Sequence, residues 1–200
     1  LGIHSEMFSD GILKLIEDGV VTCKAKNYMP GKLVVTFLMG TKKLYDWVND
    51  NPAVYMAPVD FVNHPMVVCQ NDNIISINSC VAVDLMGQVA SESIGLKQIS
   101  GVGGQVDFVR GAGMAKNGKA IMAMPSTVKG KASKIVALLD EGAAVTTSRN
   151  DVDYVVTEYG IAHLKGETLR ERARQLINIA HPDFRDELKV EFEKRFHEKF

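Results

Sequence analysis

Long hydrophobic stretches are missing from this sequence of 200 residues. The longer apolar runs, such as Ile135 to Leu139, fall far short of the roughly 18 to 20 residues that a membrane-spanning helix requires. An excess of either charge is also missing, because 23 basic residues stand against 24 acidic ones. The sequence therefore encodes no membrane helix, and neither nucleic acid nor a membrane is expected as a partner.

Cysteine and proline are both scarce. The 3 cysteines, Cys23, Cys69 and Cys80, are odd in number and widely spaced, which suits neither a disulfide framework nor a tetrahedral metal site. We therefore expect buried apolar thiols, a reducing and hence cytoplasmic compartment, and no metal; a catalytic thiol is the less favoured alternative. With 6 prolines, 46% hydrophobic and 24% charged residues, the composition is typical of a folded globular protein and excludes a disordered chain.

Hydrophobic periodicity predicts an α/β organisation with a helical C-terminal end. Helical spacing occurs over Met7 to Asp18, around Leu44 to Val48, and in the last 33 residues, where two helices meet at His181-Pro182. Apolar and β-branched runs predict strands at Leu33 to Leu38, Asn73 to Asn78, Val81 to Leu85, Ala120 to Met124, Ile135 to Leu139, Ala144 to Thr147 and Tyr154 to Thr157. No repeat or long linker divides the chain, so we expect a single α/β domain.

A glycine cluster at residues 100–108, Ser-Gly-Val-Gly-Gly-Gln-Val-Asp-Phe, is the first candidate for chemistry. Gly103 and Gly104 have no side chains, so their N–H groups can approach a phosphate, a carbonyl oxygen or an oxyanion closely. The spacing matches neither the dinucleotide fingerprint nor the P-loop. From spacing alone, a tight structural turn and a ligand loop are equally good interpretations.

Two further polar segments fall in predicted loops. Residues 124–134 combine hydroxyl groups with Lys129, Lys131 and Lys134, which suits either phosphate contact or a solubilising surface turn. Residues 146–158 place Arg149 and several acidic or amide side chains in a turn between two predicted strands, where such groups bind a ligand or cap the turn.

Near the start of the chain, His4, Ser5 and Glu6 are adjacent. Adjacent residues do not provide the aligned geometry of a Ser/His catalytic pair, so a hydrolytic triad is not expected. A carboxylate such as Glu6 can instead attack an activated acyl carbon when neighbouring donors stabilise the tetrahedral oxygen. Its other interpretation is a favourable charge near the start of a helix.

Several stretches, taken in order, resemble the acetyl-CoA hydrolase/transferase family, and most of all its 4-hydroxybutyrate and butyrate CoA-transferases. They are residues 2–11, 78–79, 83–89, 101–108, 146–160 and 179–185, and they extend over nearly the whole chain. The resemblance implies the three-layer α/β fold of CoA transferases, with a mixed sheet. Family members carry another α/β half before the glutamate motif. Residues 1–200 are therefore expected to be a C-terminal domain whose N-terminal half is absent, and to be inactive in isolation.

The resemblance also implies which residues act. The glutamate of the His-Ser-Glu-Met motif is the family's nucleophile, which places that role on Glu6. The family's glycine loop approaches the thioester and CoA. Contacts with CoA are therefore implied for Gly101, Gly103 and especially Gly104, with Val81 as a further contact.

The implied reaction is a ping-pong exchange in which the glutamate carboxylate attacks a short acyl-CoA, such as 4-hydroxybutyryl-, butyryl- or acetyl-CoA. An acyl-glutamyl anhydride forms, the CoA thiolate converts it into a glutamyl-CoA thioester, and a second short carboxylate reverses these steps. Coenzyme A is thus a substrate, no prosthetic group is expected, and a homo-oligomer is expected. The alternatives are an acyl-CoA hydrolase and a noncatalytic CoA-binding or assembly module.

Overall fold

The computed structural model describes all 200 residues, and their contacts group into two compact units. Unit 1 comprises Leu1–Ile74 and Met114–Gly118, and unit 2 comprises Ile75–Gly113 and Lys119–Phe200. The strands pair in both parallel and antiparallel fashion, and helices end the chain. The predicted α/β class with a mixed sheet and a helical C-terminal end is therefore confirmed. None of the helices combines the length and the apolar character needed to cross a bilayer.

Unit 1 contains two parallel strand pairs, β1 with β3 and β2 with β4, and four short helices. Its elements are β1 (Met7–Ser9), α1 (Asp10–Glu17), β2 (Leu33–Val35), β3 (Phe37–Met39), α2 (Lys42–Val48), β4 (Val54–Met56), α3 (Val59–Val62) and α4 (Pro65–Val68). Buried apolar side chains from these elements and the loops between them form one core cluster: Phe8, Leu13, Val21, Cys23, Leu33, Val35 and Leu44.

The start of the first helix differs from the prediction. Helix α1 begins at Asp10 rather than at Met7, because the three residues of β1 pair in parallel with β3. Helical spacing and strand alternation both place Phe8 inside, so the sequence pattern does not separate them. The parallel partner is far along the chain, and that pairing decides the backbone conformation.

Unit 2 contains short sheets and three helices, two of them at the C-terminal end. Its strands are β5 (Ile75–Asn78), β6 (Ala82–Asp84), β7 (Val89–Ala90), β8 (Ser93–Ile94), β9 (Lys97–Gln98), β10 (Lys119–Ala123), β11 (Thr127–Val128), β12 (Ala132–Ser133), β13 (Ile135–Val136), β14 (Tyr154–Thr157) and β15 (Gly160–His163). Its helices are α5 (Gln105–Met114), α6 (Leu169–Ile179) and α7 (Pro182–Phe196), α5 ending at the boundary with unit 1.

The largest sheet has four strands in the order β15-β14-β10-β5. Strand β10 is parallel to both of its neighbours, and β15 pairs antiparallel with β14. The buried residues of these strands alternate with more exposed ones and include Ser76, Ala120, Met122, Val155 and Ala162. Helix α6 packs against β14 and β15.

The predicted junction of two helices at His181-Pro182 is confirmed. Helix α6 begins after Thr168, whose hydroxyl oxygen accepts a hydrogen bond from the Glu171 N–H at 3.3 Å. Helix α7 begins at Pro182, where the fixed φ of proline suits the first helical position. His181 Nδ1 accepts a hydrogen bond from the Asp183 N–H at 3.3 Å and so caps this helix.

Two strand predictions in unit 2 are wrong in part. The strand predicted over Ile135 to Leu139 stops after Val136. The segment Ala144 to Thr147 forms no strand, and only Thr147 makes an isolated bridge, to Val89. A side chain takes the place of a strand partner at Ala144, because the Ser93 hydroxyl oxygen accepts from the Ala144 N–H at 2.7 Å.

All three cysteines are free thiols. Cys23 and Cys80 are buried as expected, whereas Cys69 is half-buried. Burial raises the pKa of the Cys80 thiol to about 11, although the nearby charge of Lys134 lowers it. Cys80 is therefore a protonated apolar side chain near neutral pH, which agrees with the structural interpretation of the cysteines.

Candidate active site

Glu6 lies between two stretches of parallel pairing in unit 1. Before it, His4 forms a bridge with Val34, and after it β1 pairs with β3. The Glu6 carbonyl oxygen accepts three hydrogen bonds, from the N–H groups of Thr36 (2.9 Å) and Phe37 (3.1 Å) and from the Thr36 hydroxyl (3.0 Å). These contacts also divide the predicted strand Leu33 to Leu38 into β2 and β3 at Thr36.

The backbone of Glu6 is thus held in place while its side chain is left for other contacts. The side chain is half-buried, and its carboxylate has no hydrogen-bond or ion-pair partner within the chain. A carboxylate presented in this way on a fixed backbone can act as a nucleophile towards an acyl group. The alternative interpretation, a charge at the start of a helix, fits Asp10 better, because Asp10 is the acidic residue in the first turn of α1.

The neighbouring histidine has a structural role. His4 Nε2 lies 2.7 Å from the Val62 carbonyl oxygen, and His4 Nδ1 lies 3.4 Å from the Asn71 side-chain nitrogen. Burial lowers the pKa of His4, and the charge of Lys26 lowers it further, against the opposing effect of the Val62 hydrogen bond. A neutral ring that donates from Nε2 and accepts at Nδ1 fits these contacts. Both ring nitrogens therefore have partners outside the motif, in agreement with the expectation that His4, Ser5 and Glu6 form no triad.

Lys26 ties the segment before Glu6 to the start of β2. Its ammonium group donates to the carbonyl oxygens of Ile3 and Lys32, both at 2.8 Å. Its aliphatic stem lies against Gly2, where a Cβ would collide with Lys26 Cγ. Burial lowers the pKa of Lys26 to about 8, although nearby Cys23 raises it. Lys26, whose pKa is lowered by burial, therefore holds the segment before Glu6 through two hydrogen bonds.

We expect the free energy of unfolding of the native chain to rise relative to that of Lys26→Met between pH 8 and pH 10.5. The pKa of Lys26 is about 8 in the folded state, against an ordinary 10.5, so the unfolded chain binds more protons in this window and rising pH favours the folded state. Below pH 8 both states are protonated and the difference stays level.

Urea unfolding of both proteins across this pH range measures the effect. Lys24→Met, which removes an exposed lysine from the same loop, is the matched control. A difference between the native chain and Lys26→Met that stays constant or falls through the window contradicts the prediction.

The glycine loop, residues 101–104, connects the β8–β9 hairpin to helix α5 in unit 2. Gly104 is buried, and its carbonyl oxygen accepts the Phe108 N–H at 3.0 Å, which starts the helix. Gln105 Nε2 donates to the hydroxyls of Ser91 and Thr147, both at 2.9 Å, and so fixes the first residue of α5. The first N–H groups of a helix have no partner within it and suit an anionic oxygen.

Gly103 is the loop position that requires glycine. Its φ is +56°, in the left-handed region, whereas Gly101 has no positive φ, and a Cβ at either position meets nothing within 4 Å. We expect Gly103→Ala to lower the free energy of unfolding by about 1 kcal/mol more than Gly101→Ala, because only the first forces alanine into a left-handed conformation. Urea unfolding of the two variants checks this, and equal losses would contradict it.

A further polar contact, which the sequence alone did not single out, lies where parallel strands β10 and β14 end. The Glu158 carboxylate accepts from the Ser126 hydroxyl at 2.6 Å and from the Ser126 N–H at 2.8 Å. The Ser126 hydroxyl, and then the N–H of Glu158 itself, lower the pKa of the Glu158 carboxyl. Ligands of α/β sheets often bind at the carboxyl ends of parallel strands. Both residues belong to the polar segments noted in the sequence, but only the parallel pairing of β10 with β14 brings the two segments together.

Val81 and the basic segments have identifiable neighbours in unit 2. Val81 is half-buried, and its N–H donates to the Ala90 carbonyl at 2.8 Å. Lys134 Nζ donates to the Cys80 carbonyl at 2.6 Å, whereas Lys129 and Lys131 are exposed. The solubilising interpretation therefore fits Lys129 and Lys131, and Lys134 holds the residue before Val81.

The turn around Arg149 serves the fold. The Arg149 carbonyl accepts from Arg172 Nη1 at 2.6 Å, and Asp151 pairs with Arg110 at 3.2 Å. The capping interpretation is thus the one that the contacts support. The structure places Glu6 in unit 1, and Gly101, Gly103, Gly104 and Val81 in unit 2. No group of three or more histidine, cysteine, aspartate or glutamate side chains is arranged to hold a metal ion.

Comparison with known proteins gives a consistent result. The family model described as the acetyl-CoA hydrolase/transferase C-terminal domain matches residues 40–192. The 4-hydroxybutyrate coenzyme A transferase of Clostridium kluyveri is 71% identical over 98% of this chain and 46% of its own length. The butyryl-CoA:acetate CoA-transferase of Anaerostipes caccae is 47% identical over 97% of this chain and 44% of its own length.

A solved structure agrees with these relatives. The crystal structure of 4-hydroxybutyrate CoA-transferase from Porphyromonas gingivalis superposes with a TM-score of 0.84 at 49% identity, covering 98% of this chain and 46% of that one. The acetyl-CoA hydrolase of Kluyveromyces lactis, by contrast, is 29% identical over 92% of this chain. The chain spans about half the length of the curated relatives it matches.

Proposed function

Because this chain belongs to the acetyl-CoA hydrolase/transferase family, we propose that it forms the C-terminal domain of a longer CoA-transferase acting on a short acyl-CoA and a short carboxylate. The two transferases described above are 71% and 47% identical to this chain, whereas the hydrolase is 29% identical. This gradient favours transfer to a carboxylate over transfer to water.

The observation that carries the proposal is the carboxylate of Glu6, half-buried and without a partner on a backbone held by three hydrogen bonds. Glu6 precedes the residues 40–192 that the family model matches. Its assignment is therefore supported by this geometry and by the resemblance of its motif. We assign it the role of nucleophile.

In the proposed reaction, a carboxylate oxygen of Glu6 attacks the thioester carbonyl of an acyl-CoA, and the C–S bond breaks with release of the CoA thiolate. The thiolate then attacks the glutamyl carbonyl of the anhydride, which frees the first carboxylic acid as its carboxylate. A glutamyl-CoA thioester remains on Glu6. The acceptor carboxylate attacks this thioester, and the same two steps run in reverse. No oxidant, reductant or net proton is required.

For the glycine loop we assign a contact with CoA. The exposed backbone of Gly101 and Gly103, the buried Gly104 and the start of α5 offer N–H donors suited to a phosphate or a thioester oxygen. A single backbone donor at a developing oxyanion is worth about 3 kcal/mol of transition-state stabilisation. Val81 is assigned a further contact with the same substrate. The free thiols of Cys23 and Cys80 support a cytoplasmic location, and a homo-oligomer stays a prediction.

The test uses a hybrid transferase, defined as the Clostridium kluyveri relative with its matched 197 residues replaced by this chain. The hybrid is incubated with butyryl-CoA, digested and analysed by mass spectrometry for CoA attached to the peptide that contains Glu6. Transfer to acetate is compared with plain release of CoA in the same sample.

An adduct on Glu6 together with transfer that outpaces hydrolysis supports the proposal. CoA release without transfer would instead indicate an acyl-CoA hydrolase. CoA binding by calorimetry without adduct or turnover would indicate a noncatalytic CoA-binding module.

A further inference from the structure

One face of the four-stranded sheet in unit 2 is largely apolar, with the residues of its two edge strands exposed and most of those between them half-buried. The strand register aligns Ile77, Ile121, Tyr154 and His163 in one row across all four strands. The adjacent row aligns Ala123, Val156 and Ile161. Ile75, paired with Lys119, continues the face on the other side of the first row. We call these nine residues the open sheet face.

Exposure along the strands alternates as the pleat requires. Ile75 is 56% exposed and Ile77 and Ile161 are each 68% exposed, whereas Ser76 and Ala162, which point to the other side, are 6% and 0% exposed. Helix α6 packs against β14 and β15, and the buried residues lie on that second side. The open sheet face therefore lacks the cover that its opposite side has.

A bare face of this composition is unusual for parallel strands. Strands β5, β10 and β14 are parallel, and parallel sheets occur almost only with both faces covered by helices. The basic members of the face are Lys119 and His163. His163 is already engaged, because it stacks on Tyr154 at 4.5 Å and pairs with Asp153 at 3.0 Å. A partner for this face must therefore present an apolar surface.

The length of the relatives indicates which polypeptide covers the open sheet face. The chain covers 46% of the Clostridium kluyveri transferase, and the matching family model describes a C-terminal domain. A polypeptide of about the same size as this chain is thus available in the longer enzymes. We propose that the open sheet face is the docking surface for the N-terminal half of the longer enzyme, which covers it with an apolar helical surface. This proposal rests on the proposed function, because it takes residues 1–200 as the C-terminal domain.

Thiol labelling of the hybrid transferase tests this. Ile77→Cys and Ile161→Cys place a thiol on the open sheet face, and Leu96→Cys places one on the β8–β9 hairpin, where Leu96 is 90% exposed. Each variant is treated with a maleimide under native and denaturing conditions, and peptide mapping separates the new thiol from the three native cysteines. We expect the thiol at position 96 to react at its denatured rate, and the thiols at positions 77 and 161 to react at least about tenfold more slowly.

The outcomes separate the candidate partners. Reaction at positions 77 and 161 as fast as at position 96 would overturn the proposal. Protection that disappears when the protein is diluted to monomers would assign the face to a second copy and overturn it as well. As a second readout, Ile77→Lys should increase proteolytic separation of the two halves, whereas Leu96→Lys should not.

The labelling result is independent of the chemistry at Glu6. Rapid labelling in a hybrid that transfers CoA would reject only the docking surface. Protection in a hybrid that forms no adduct on Glu6 would reject the role of Glu6 as nucleophile and leave the docking surface supported.

Discussion

Glu6→Gln in the hybrid transferase should lower the rate of acyl transfer by a factor on the order of 10⁶, which is the scale of the loss seen when a covalent nucleophile is removed. The glutamine amide is too weak a nucleophile to form the anhydride, and every later step depends on that intermediate. Transfer from butyryl-CoA to acetate, followed by chromatography of the CoA esters, measures the loss.

The structure predicts that this variant keeps its fold. The three hydrogen bonds at Glu6 end on its carbonyl oxygen, and the side chain has no partner in the chain. The melting temperature should therefore stay unchanged while the rate falls, which separates a chemical effect from a folding effect. Glu6→Asp, which withdraws the carboxylate by about one bond length, should lose about 10²-fold.

Glu17→Gln is the matched control for the loss of a glutamate. Glu17 is an exposed residue at the end of α1 that pairs with Lys43 at 2.7 Å, and its replacement should leave transfer unchanged. Full transfer by Glu6→Gln, or an equal loss in Glu17→Gln, would remove Glu6 from the role of nucleophile.

Phe8→Ala should lower the free energy of unfolding by about 3 to 5 kcal/mol, the range for deleting a buried aromatic ring. Phe8 is fully buried in the core cluster of unit 1, and its ring meets Trp47 edge-on at a centroid distance of 5.9 Å. The ring is large and its neighbours come from several elements, so the cavity is not expected to close.

Phe37→Ala is the control, because Phe37 is on the neighbouring strand β3 and is 42% exposed. Its loss should cost less than about 1 kcal/mol. Trp47 is the single tryptophan, so its fluorescence during urea unfolding reports directly on unit 1. A smaller loss for Phe8→Ala than for Phe37→Ala would show that the motif around Glu6 is not anchored in this core.

The sequence predicted the elements whose signals are local. The two C-terminal helices and their junction at Pro182 are present as predicted, and strands β10 and β14 are within about one residue of the predicted bounds, because periodicity and proline act over a few positions. The prediction was wrong for Met7–Ser9 and for Ala144 to Thr147, where distant partners decide the conformation. Sheet order was not predictable for the same reason.

The candidate site shows the same division. Composition and spacing left Glu6 with two interpretations, and the resemblance of its motif selected the nucleophile. The hydrogen bonds from Thr36 that hold its backbone join residues 30 positions apart and have no sequence signature. The contact between Ser126 and Glu158 was missed because the two residues meet only through the parallel pairing of β10 and β14.

Unit 1 is discontinuous in the sequence, so no single truncation of the gene yields unit 1 alone. Unit 1 needs the short segment Met114–Gly118, in which the Lys116 carbonyl accepts the Asn73 N–H at 2.8 Å. A stop codon after Ile74 would therefore remove a piece of the unit it was meant to isolate. Recombination between two related genes at a crossover point within residues 75–113 would likewise produce a protein in which the two segments of unit 1 come from different genes.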